Sequence, residues 1–377
     1  MEHRGLGRTK LTVSAVGLGT EFLIDRPREA VASVIHEAID RGINYIDMFW
    51  AHPEFRNHMG DALRGRRDSV YITAHLGSAL ENGQYAVSRD ARICTDFFHD
   101  DLHRLNTDHV DVLFVHNCNA PSDYDRVTAA GGLLDLARSL VKQGKARFVG
   151  MSSHNVATAL RAVEGGAIDV LMFPVNLASY AVPGKERLLA ACKRHDVGLV
   201  AMKAFGGGSL LRDKSVIELQ DYQMGRQEMP GAPSHYDSHV RITPVQCMAY
   251  VLDRTEVATV VPGCQTVGEL EEALGCLTAS SEERAYARIL PAFAEFAQGE
   301  CVYCNHCLPC PAEIDVGRLI SLLELGKTDM TQEVISSYAK LVKTAADCVA
   351  CGSCSKRCPF GVDVVSKMKE ASSLFAR

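Results

Sequence analysis

From residue 13 to about 278 the chain alternates short aliphatic, β-branched runs with segments whose apolar positions recur at helical spacing. Strands are predicted at Val13–Leu18, Asn44–Asp47, Val70–Ala74, Val110–Val115, Arg147–Met151, Asp169–Phe173, Gly198–Met202 and Ala258–Val261. Helices are predicted at Arg28–Arg41, Val87–Leu105, Gly131–Gln143, Asn155–Glu164, Lys185–His195, Thr243–Asp253 and Val267–Leu277. Gly42, Gly144 and Gly198 punctuate helix ends before the next strand. Eight strand-then-helix units imply an α/β fold, a (β/α)8 TIM barrel over residues 1–280. A doubly wound sheet is the rival, and no GxGxxG follows the first strand to support it. Residues 206–242 form one long irregular connection opening on Gly206, Gly207 and Gly208. It should lie over the C-terminal face of the barrel.

Beyond the barrel the pattern changes. Ser281–Phe296 reads as a connecting helix into two cysteine runs, CVYCNHCLPCP from Cys301 and CVACGSCSKRCP from Cys348. The second run fits C-x2-C-x2-C-x3-C-P without alteration, while the first has two residues, not three, before its last cysteine. In such pairs three close cysteines wrap one cluster and the fourth crosses to the other. Cys301, Cys304, Cys307 and Cys358 are therefore expected on one [4Fe-4S] cluster, and Cys348, Cys351, Cys354 and Cys310 on the second. A pair of zinc knuckles is the bland alternative. The spacer carries Val316, Leu319, Ile320 and Leu323 on one helical face, and Val334, Ile335, Tyr338, Leu341 and Val342 on another. Residues 281–377 are thus expected to form an all-α, two-cluster ferredoxin-like domain.

Composition narrows the partners. The 377 residues carry a net charge of −6 and no basic run, which argues against nucleic acid. The polar N-terminus lacks an apolar signal core, and no apolar stretch has the length of a membrane span. Fourteen cysteines without a secretory signal point to a reducing cytoplasm and to metal binding. Cys94, Cys118, Cys192, Cys247, Cys264 and Cys276 lie outside the runs and are expected to be buried, inert thiols.

The barrel's motifs bring a resemblance. RGLGRTKLTVSAVGLGT, GINYIDMFWAHPEFRNHMGDAL, GKARFVGMSS and VGLVAMKAFGGG are similar to the first, second, fifth and seventh strand motifs of aldo-keto reductases, over roughly residues 3–278. With the cysteine runs added, the whole chain resembles that family's iron–sulfur branch. The family uses an Asp, Tyr, Lys and His, with Tyr donating a proton while NAD(P)H delivers hydride. Carried over, Asp47 and His116 keep the Asp and His, whereas the Tyr position is His52 and the Lys position is His75. Two readings of Asp47, His52, His75 and His116 then compete. Imidazole titrates near pH ~6.5, so a histidine can serve as proton donor without a lysine, with Asp47 fixing the tautomer of His75. Alternatively His52, His75 and His116 hold a zinc or iron ion, with Asp47 as ligand or orienting partner. A hydrogen-bonded trio in an inactive site is the bland reading. His154 and Cys118 could reach the same mouth, but the expected readings are a plain loop residue and an inert thiol.

The nucleotide site implied by the resemblance is eroded. Ser152, with Ser153 beside it, keeps a carboxamide partner, while Met172 and Met202 replace the Gln and the stacking aromatic. Gly263, Cys264 and Glu269 stand where the family binds the 2′-phosphate. NADP(H) is disfavoured by charge, and NAD(H) remains possible. The expected function is therefore an oxidoreductase acting on a small organic substrate, fed by two [4Fe-4S] clusters and an electron-transfer partner. The alternatives are a metal-dependent non-redox enzyme with structural clusters, an NAD(H)-dependent carbonyl reductase, and an electron-transfer subunit.

Overall fold

The computed structural model describes residues 1–211, 217–218, 239–240, 242–287, 289–290, 301, 307–328, 330–358 and 361–376. Its strands are β1 (His3–Gly5), β2 (Thr12–Ser14), β3 (Leu18–Gly19), β4 (Tyr45–Asp47), β5 (Tyr71–Leu76), β6 (Ser78–Glu81) and β7 (Gln84–Val87). They continue as β8 (Val110–Val115), β9 (Ala146–Ser152), β10 (Val170–Pro174), β11 (Gly198–Met202), β12 (Ile217–Glu218), β13 (His239–Val240) and β14 (Val257–Val261). The helices of the first 280 residues are α1 (Arg28–Asp40), α2 (Pro53–Ala62), α3 (Ala91–Arg104), α4 (Pro121–Thr128), α5 (Leu133–Lys142), α6 (Val156–Glu164), α7 (Lys185–Arg194), α8 (Pro244–Leu252) and α9 (Val267–Leu274).

Eight strands pair in parallel in the order β14-β11-β10-β9-β8-β5-β4-β3. Bridges between Val16 and Val260 and between Gly19 and Gly263 bring the two edges of the sheet together. This is the barrel that the alternation of patterns implies. Its strands are apolar on both faces because one face meets helices and the other meets the barrel interior. In β8 and β14 every residue is buried. Leu6, Leu11, Val13, Tyr45, Val112, Phe114, Val170, Met172, Val200, Ala258 and Val261 fill the interior. Gly150 is needed there, since a Cβ would sit 2.4 Å from the Phe114 ring. Helix starts are capped by side chains. Asp90 accepts from the Arg92 and Ile93 amides of α3, and Thr243 and Gln246 close a reciprocal box on α8.

Several local expectations are corrected. The run Val13–Leu18 is divided: Thr12–Ser14 pairs antiparallel with β1 and plugs the bottom of the barrel, and the barrel strand itself is only Leu18–Gly19. The helix expected from Val87 starts at Ala91, because residues 78–87 form the β6–β7 hairpin. Its turn is Asn82-Gly83, with φ of 52° and 78°, the Asn-Gly pair that a two-residue hairpin prefers. Helices α2 and α4 escaped the periodicity reading, and each begins with a proline at its first position. Ser281–Phe296 is not a helix where it is described: Ser280 and Glu283 close one turn, which does not propagate. Residues 291–296 lie outside the described residues. In the connection after β11, Gly206–Leu211 is a 3-10 turn and β12 pairs with β13.

Beyond residue 301 the regular elements of the described residues are helices: α10 (Val316–Thr328), α11 (Gln332–Ala339), α12 (Ser353–Arg357) and α13 (Val364–Phe375). Val316, Leu319, Ile320 and Leu323 are buried on α10 as expected. Helix α11 ends before Leu341, however, and Val342 is 96% exposed. Tyr338 stacks on Phe375 at 3.9 Å, tying α11 to α13. Leu308, Ile314 and α10 share one continuous apolar core with the outer layer of the barrel.

Candidate functional site

Asp47 is the last residue of β4, His75 lies near the end of β5, and His116 follows β8. Parallel register sets His75 opposite Phe114, so all three reach the C-terminal mouth of the barrel. There they form a row. His75 Nε2 lies 3.0 Å from Asp47 Oδ1, and His75 Nδ1 lies 2.8 Å from His116 Nδ1. Thr73 Oγ1 donates to the same Asp47 oxygen at 2.6 Å. The outer end of the row is Tyr85, whose hydroxyl lies 2.6 Å from His116 Nε2. Tyr85 sits on β7 and packs edge-on against Phe49, Trp50 and His116. Phe49 stacks face to face on His116, with ring centroids 5.7 Å apart. Asp47, His75 and His116 are all buried.

A cavity of about 400 Å³ opens over this row. Asp47, His75, His116 and Phe49 line one side; Phe22, Met172, Met202 and Phe205 make the rest largely apolar. Glu21 and Lys203 pair across the lining, with Lys203 Nζ 2.6 and 2.8 Å from the two carboxylate oxygens. Lys203 adopts a left-handed φ of 59°, held in place by the ion pair and by Asn176 Nδ2 donating to its carbonyl at 2.8 Å. His154 also lines the cavity. Burial, with Lys203 adding repulsion, pushes its imidazole down to about 3, so it is neutral in working solution.

The other residues singled out in the sequence fall on both sides of this boundary. His52 is the N-cap of α2 and is not among the residues lining the cavity, whereas His75 and His116 both are. Ser152 lines the cavity, but its Oγ accepts from the Asn117 amide at 2.8 Å. Ser153 turns to the Asn155 backbone instead. Met172, Met202, Gly263 and Glu269 all line the cavity, and Glu272 joins them. Glu269 accepts from the Gln265 amide at 2.7 Å, so a carboxylate already occupies the approach to the first turn of α9. The six cysteines outside the runs are buried, and burial raises Cys118, Cys192, Cys247 and Cys264 to about 12. Tyr85, Phe49 and the Glu21–Lys203 pair were missed by sequence reasoning; the Asn82-Gly83 turn is the signal that could have found the hairpin bearing Tyr85.

Both ring nitrogens of His75 and of His116 are engaged within the row. Among the described residues, no group of three or more His, Cys, Asp or Glu side chains is placed to hold a metal ion. A separate small cavity of about 20 Å³ is lined by Cys310, Cys348, Cys351 and Cys354, with Val349 and Arg357 at its side. These are the four cysteines grouped from the sequence. Of the other four, Cys301, Cys307 and Cys358 pack against the core, while Cys304 lies outside the described residues. Gln84 of the hairpin holds Cys310 by its backbone: Gln84 Nε2 donates to the Cys310 carbonyl and the Cys310 amide donates to Gln84 Oε1, both at 3.2 Å. Among the described residues no helix is long and apolar enough to cross a membrane.

Comparison with known proteins agrees with the barrel fold. An uncharacterized oxidoreductase of Bacillus subtilis, YqkF, is 24% identical over 288 residues, 72% of this chain and 90% of its own. L-galactose dehydrogenase of Arabidopsis thaliana is 26% identical over 297 residues, 74% of this chain and 88% of its own. Among solved structures, the holo form of aldo-keto reductase AKR11C1 from Bacillus halodurans superposes with a TM-score of 0.61 at 19% identity. It covers 79% of this chain and 97% of that one, and at that identity the likeness speaks for the fold. The sequence profile of the aldo/keto reductase family matches residues 15–290, leaving the cysteine runs beyond it. The chain belongs to the aldo/keto reductase family, and it is an oxidoreductase.

Proposed function

We propose that this oxidoreductase acts on a small organic substrate held over Asp47, His75 and His116, with electrons arriving through two [4Fe-4S] clusters in the cysteine region. The observation that carries the reading is the β6–β7 hairpin. Gln84 binds the backbone of Cys310, and the next residue, Tyr85, lies against His116. One hairpin thus touches both the cysteine region and the histidine row, which supports the reading. Cys310, Cys348, Cys351 and Cys354 are the proposed ligands of one cluster, because all four line a single small cavity. Cys301, Cys304, Cys307 and Cys358 are the proposed ligands of the other. When bound, such clusters supply electrons singly and at low potential. An electron-transfer partner would meet the Cys351 side, where Cys351, Val349, Lys356 and Arg357 are exposed.

The chain's own residues bind and orient the substrate and move its proton. Phe22, Met172, Met202 and Phe205 give the cavity an apolar wall facing the carboxylate and imidazoles. The cavity fits a small molecule better than a dinucleotide. Glu269 and Glu272 face the region where the family's phosphate would lie, which weighs against NADP(H) and leaves NAD(H) as the weaker reading. A metal ion at the histidines fits poorly, because their nitrogens are spent on protein partners. The test is reduction of a panel of small carbonyl and unsaturated substrates by reduced methyl viologen under argon. Turnover that needs the viologen and falls by at least about a hundredfold in His75→Ala supports the reading. Turnover with NADH alone at the same rate would overturn it.

A further inference from the structure

We infer that the cavity over Asp47 selects a cation: its substrate is a small organic molecule that carries a protonated or quaternary amine. Asp47 is only 6% exposed, and among the described residues its carboxylate has no lysine or arginine partner. Its Oδ1 accepts from the Thr73 hydroxyl at 2.6 Å and lies 3.0 Å from His75 Nε2. Its Oδ2 takes no hydrogen bond from the described residues and is open to the cavity that Asp47 lines. A buried acceptor is normally paired, because leaving it bare in apolar surroundings forfeits its hydration. An ammonium group in the cavity supplies both the missing donor and the missing counter-charge.

The rest of the lining carries the same sign. Glu21, Asp47, Glu269 and Glu272 line the cavity against the single ammonium of Lys203. Lys203 Nζ lies 2.6 and 2.8 Å from the two Glu21 oxygens, so that pair presents no net charge to a ligand. Arg26 bonds the lining residue Gln265, and with it counted the carboxylates still outnumber the cations. One protonated imidazole leaves this balance negative. The connection from 212 to 241 adds no net positive charge, since acidic residues outnumber its Arg212, Lys214, Arg226 and Arg241. An organic ion fits better than a metal ion. Among the described residues no group is placed to hold a metal, whereas the rings of Phe22 and Phe205 suit an ammonium with an apolar body. Glu269 and Glu272 are exposed and attract at long range through screening solvent, while buried Asp47 makes the contact.

The inference rests on the proposed reading of this cavity as the substrate site, but its test reads binding and needs no turnover. The probes are benzylamine, benzyl alcohol and benzoate, alike in size and respectively cationic, neutral and anionic at pH 8. The assay is isothermal titration calorimetry of the oxidised holoenzyme at low and at high salt. Benzylamine should bind at least about tenfold more tightly than benzyl alcohol, with benzoate weakest. In Asp47→Asn that advantage should vanish at both salt concentrations. In the double variant Glu269→Gln, Glu272→Gln it should shrink at low salt and persist at high salt. Equal binding of the three probes, tighter binding of benzoate, or no binding of benzylamine up to about 10 mM would overturn the inference. An advantage that survives in Asp47→Asn would overturn the contact assigned to Asp47. The wild-type ranking decides the sign of the ligand even if that variant does not fold. Loss of viologen-driven turnover beside an intact ranking would count against the proposed reaction and leave the choice of charge standing.

Discussion

Replacing His154 with leucine should make the protein more resistant to acid while changing little at neutral pH. The side chain is half-buried in the cavity wall with its ring nitrogens shielded from solvent, and that desolvation holds its imidazole near 3 against an ordinary value of 6.5. The unfolded chain therefore takes up a proton below 6.5 that the folded chain refuses until about pH 3. The stability that the neutral, shielded histidine contributes is fully present above 6.5 and is lost as pH falls toward 3. Each pH unit inside that window costs about 1.4 kcal/mol. The difference between wild type and His154→Leu should thus shift by about 2 kcal/mol in favour of the variant between pH 7 and pH 5, and by about 3 kcal/mol at pH 4. The assay is urea unfolding of both proteins under argon at pH 7, 6 and 5, followed by far-UV circular dichroism. A difference in midpoint that stays constant with pH would refute the reasoning, since it would mean that His154 titrates alike in both states.

Two further outcomes follow from the same contacts. Gln84→Ala removes both hydrogen bonds to the Cys310 backbone, worth roughly 1–3 kcal/mol together. Amide exchange at Cys310, read by mass spectrometry, should speed up by about tenfold or more, and an unchanged rate would show that the hairpin does not hold this segment. Trp50 is the one tryptophan of the chain, donates to the Glu21 carbonyl at 2.9 Å and stacks on Phe49 at 4.7 Å. Its fluorescence should therefore report filling of the cavity, with NADPH quenching more weakly than NADH. Removing the charge of Glu269 and Glu272 as glutamines should narrow that gap by about 1 kcal/mol per carboxylate, and tighter binding of NADPH than NADH by the wild type would contradict the charge argument.

The sequence disclosed the barrel because a parallel sheet covered on both faces writes itself as continuous apolar runs. The runs at Val110–Val115 and Gly198–Met202 match their strands residue for residue. Asp47, His75 and His116 were singled out through the resemblance to aldo-keto reductases, and each stands at or near the end of a barrel strand. His52, whose position was carried over by counting from Asp47, stands at the N-cap of α2 just before the proline at 53 and makes no side-chain capping bond. Tyr85 was hidden because it lies between the predicted strand Val70–Ala74 and the predicted helix Val87–Leu105, and a partner drawn from a separate hairpin leaves no periodic trace. The cysteine grouping rested on spacing alone, and four of its members do line one cavity.

The central claim is that this barrel oxidoreductase carries two clusters that serve its site. The most direct measurement is iron and acid-labile sulfide in anaerobically purified protein, wild type beside Cys310→Ser and His75→Ala. The account predicts about eight iron and about eight sulfide per wild-type chain, a loss of roughly half of each in Cys310→Ser, and no change in His75→Ala. About two zinc ions per chain with no sulfide, or one metal equivalent lost only in His75→Ala, would contradict it.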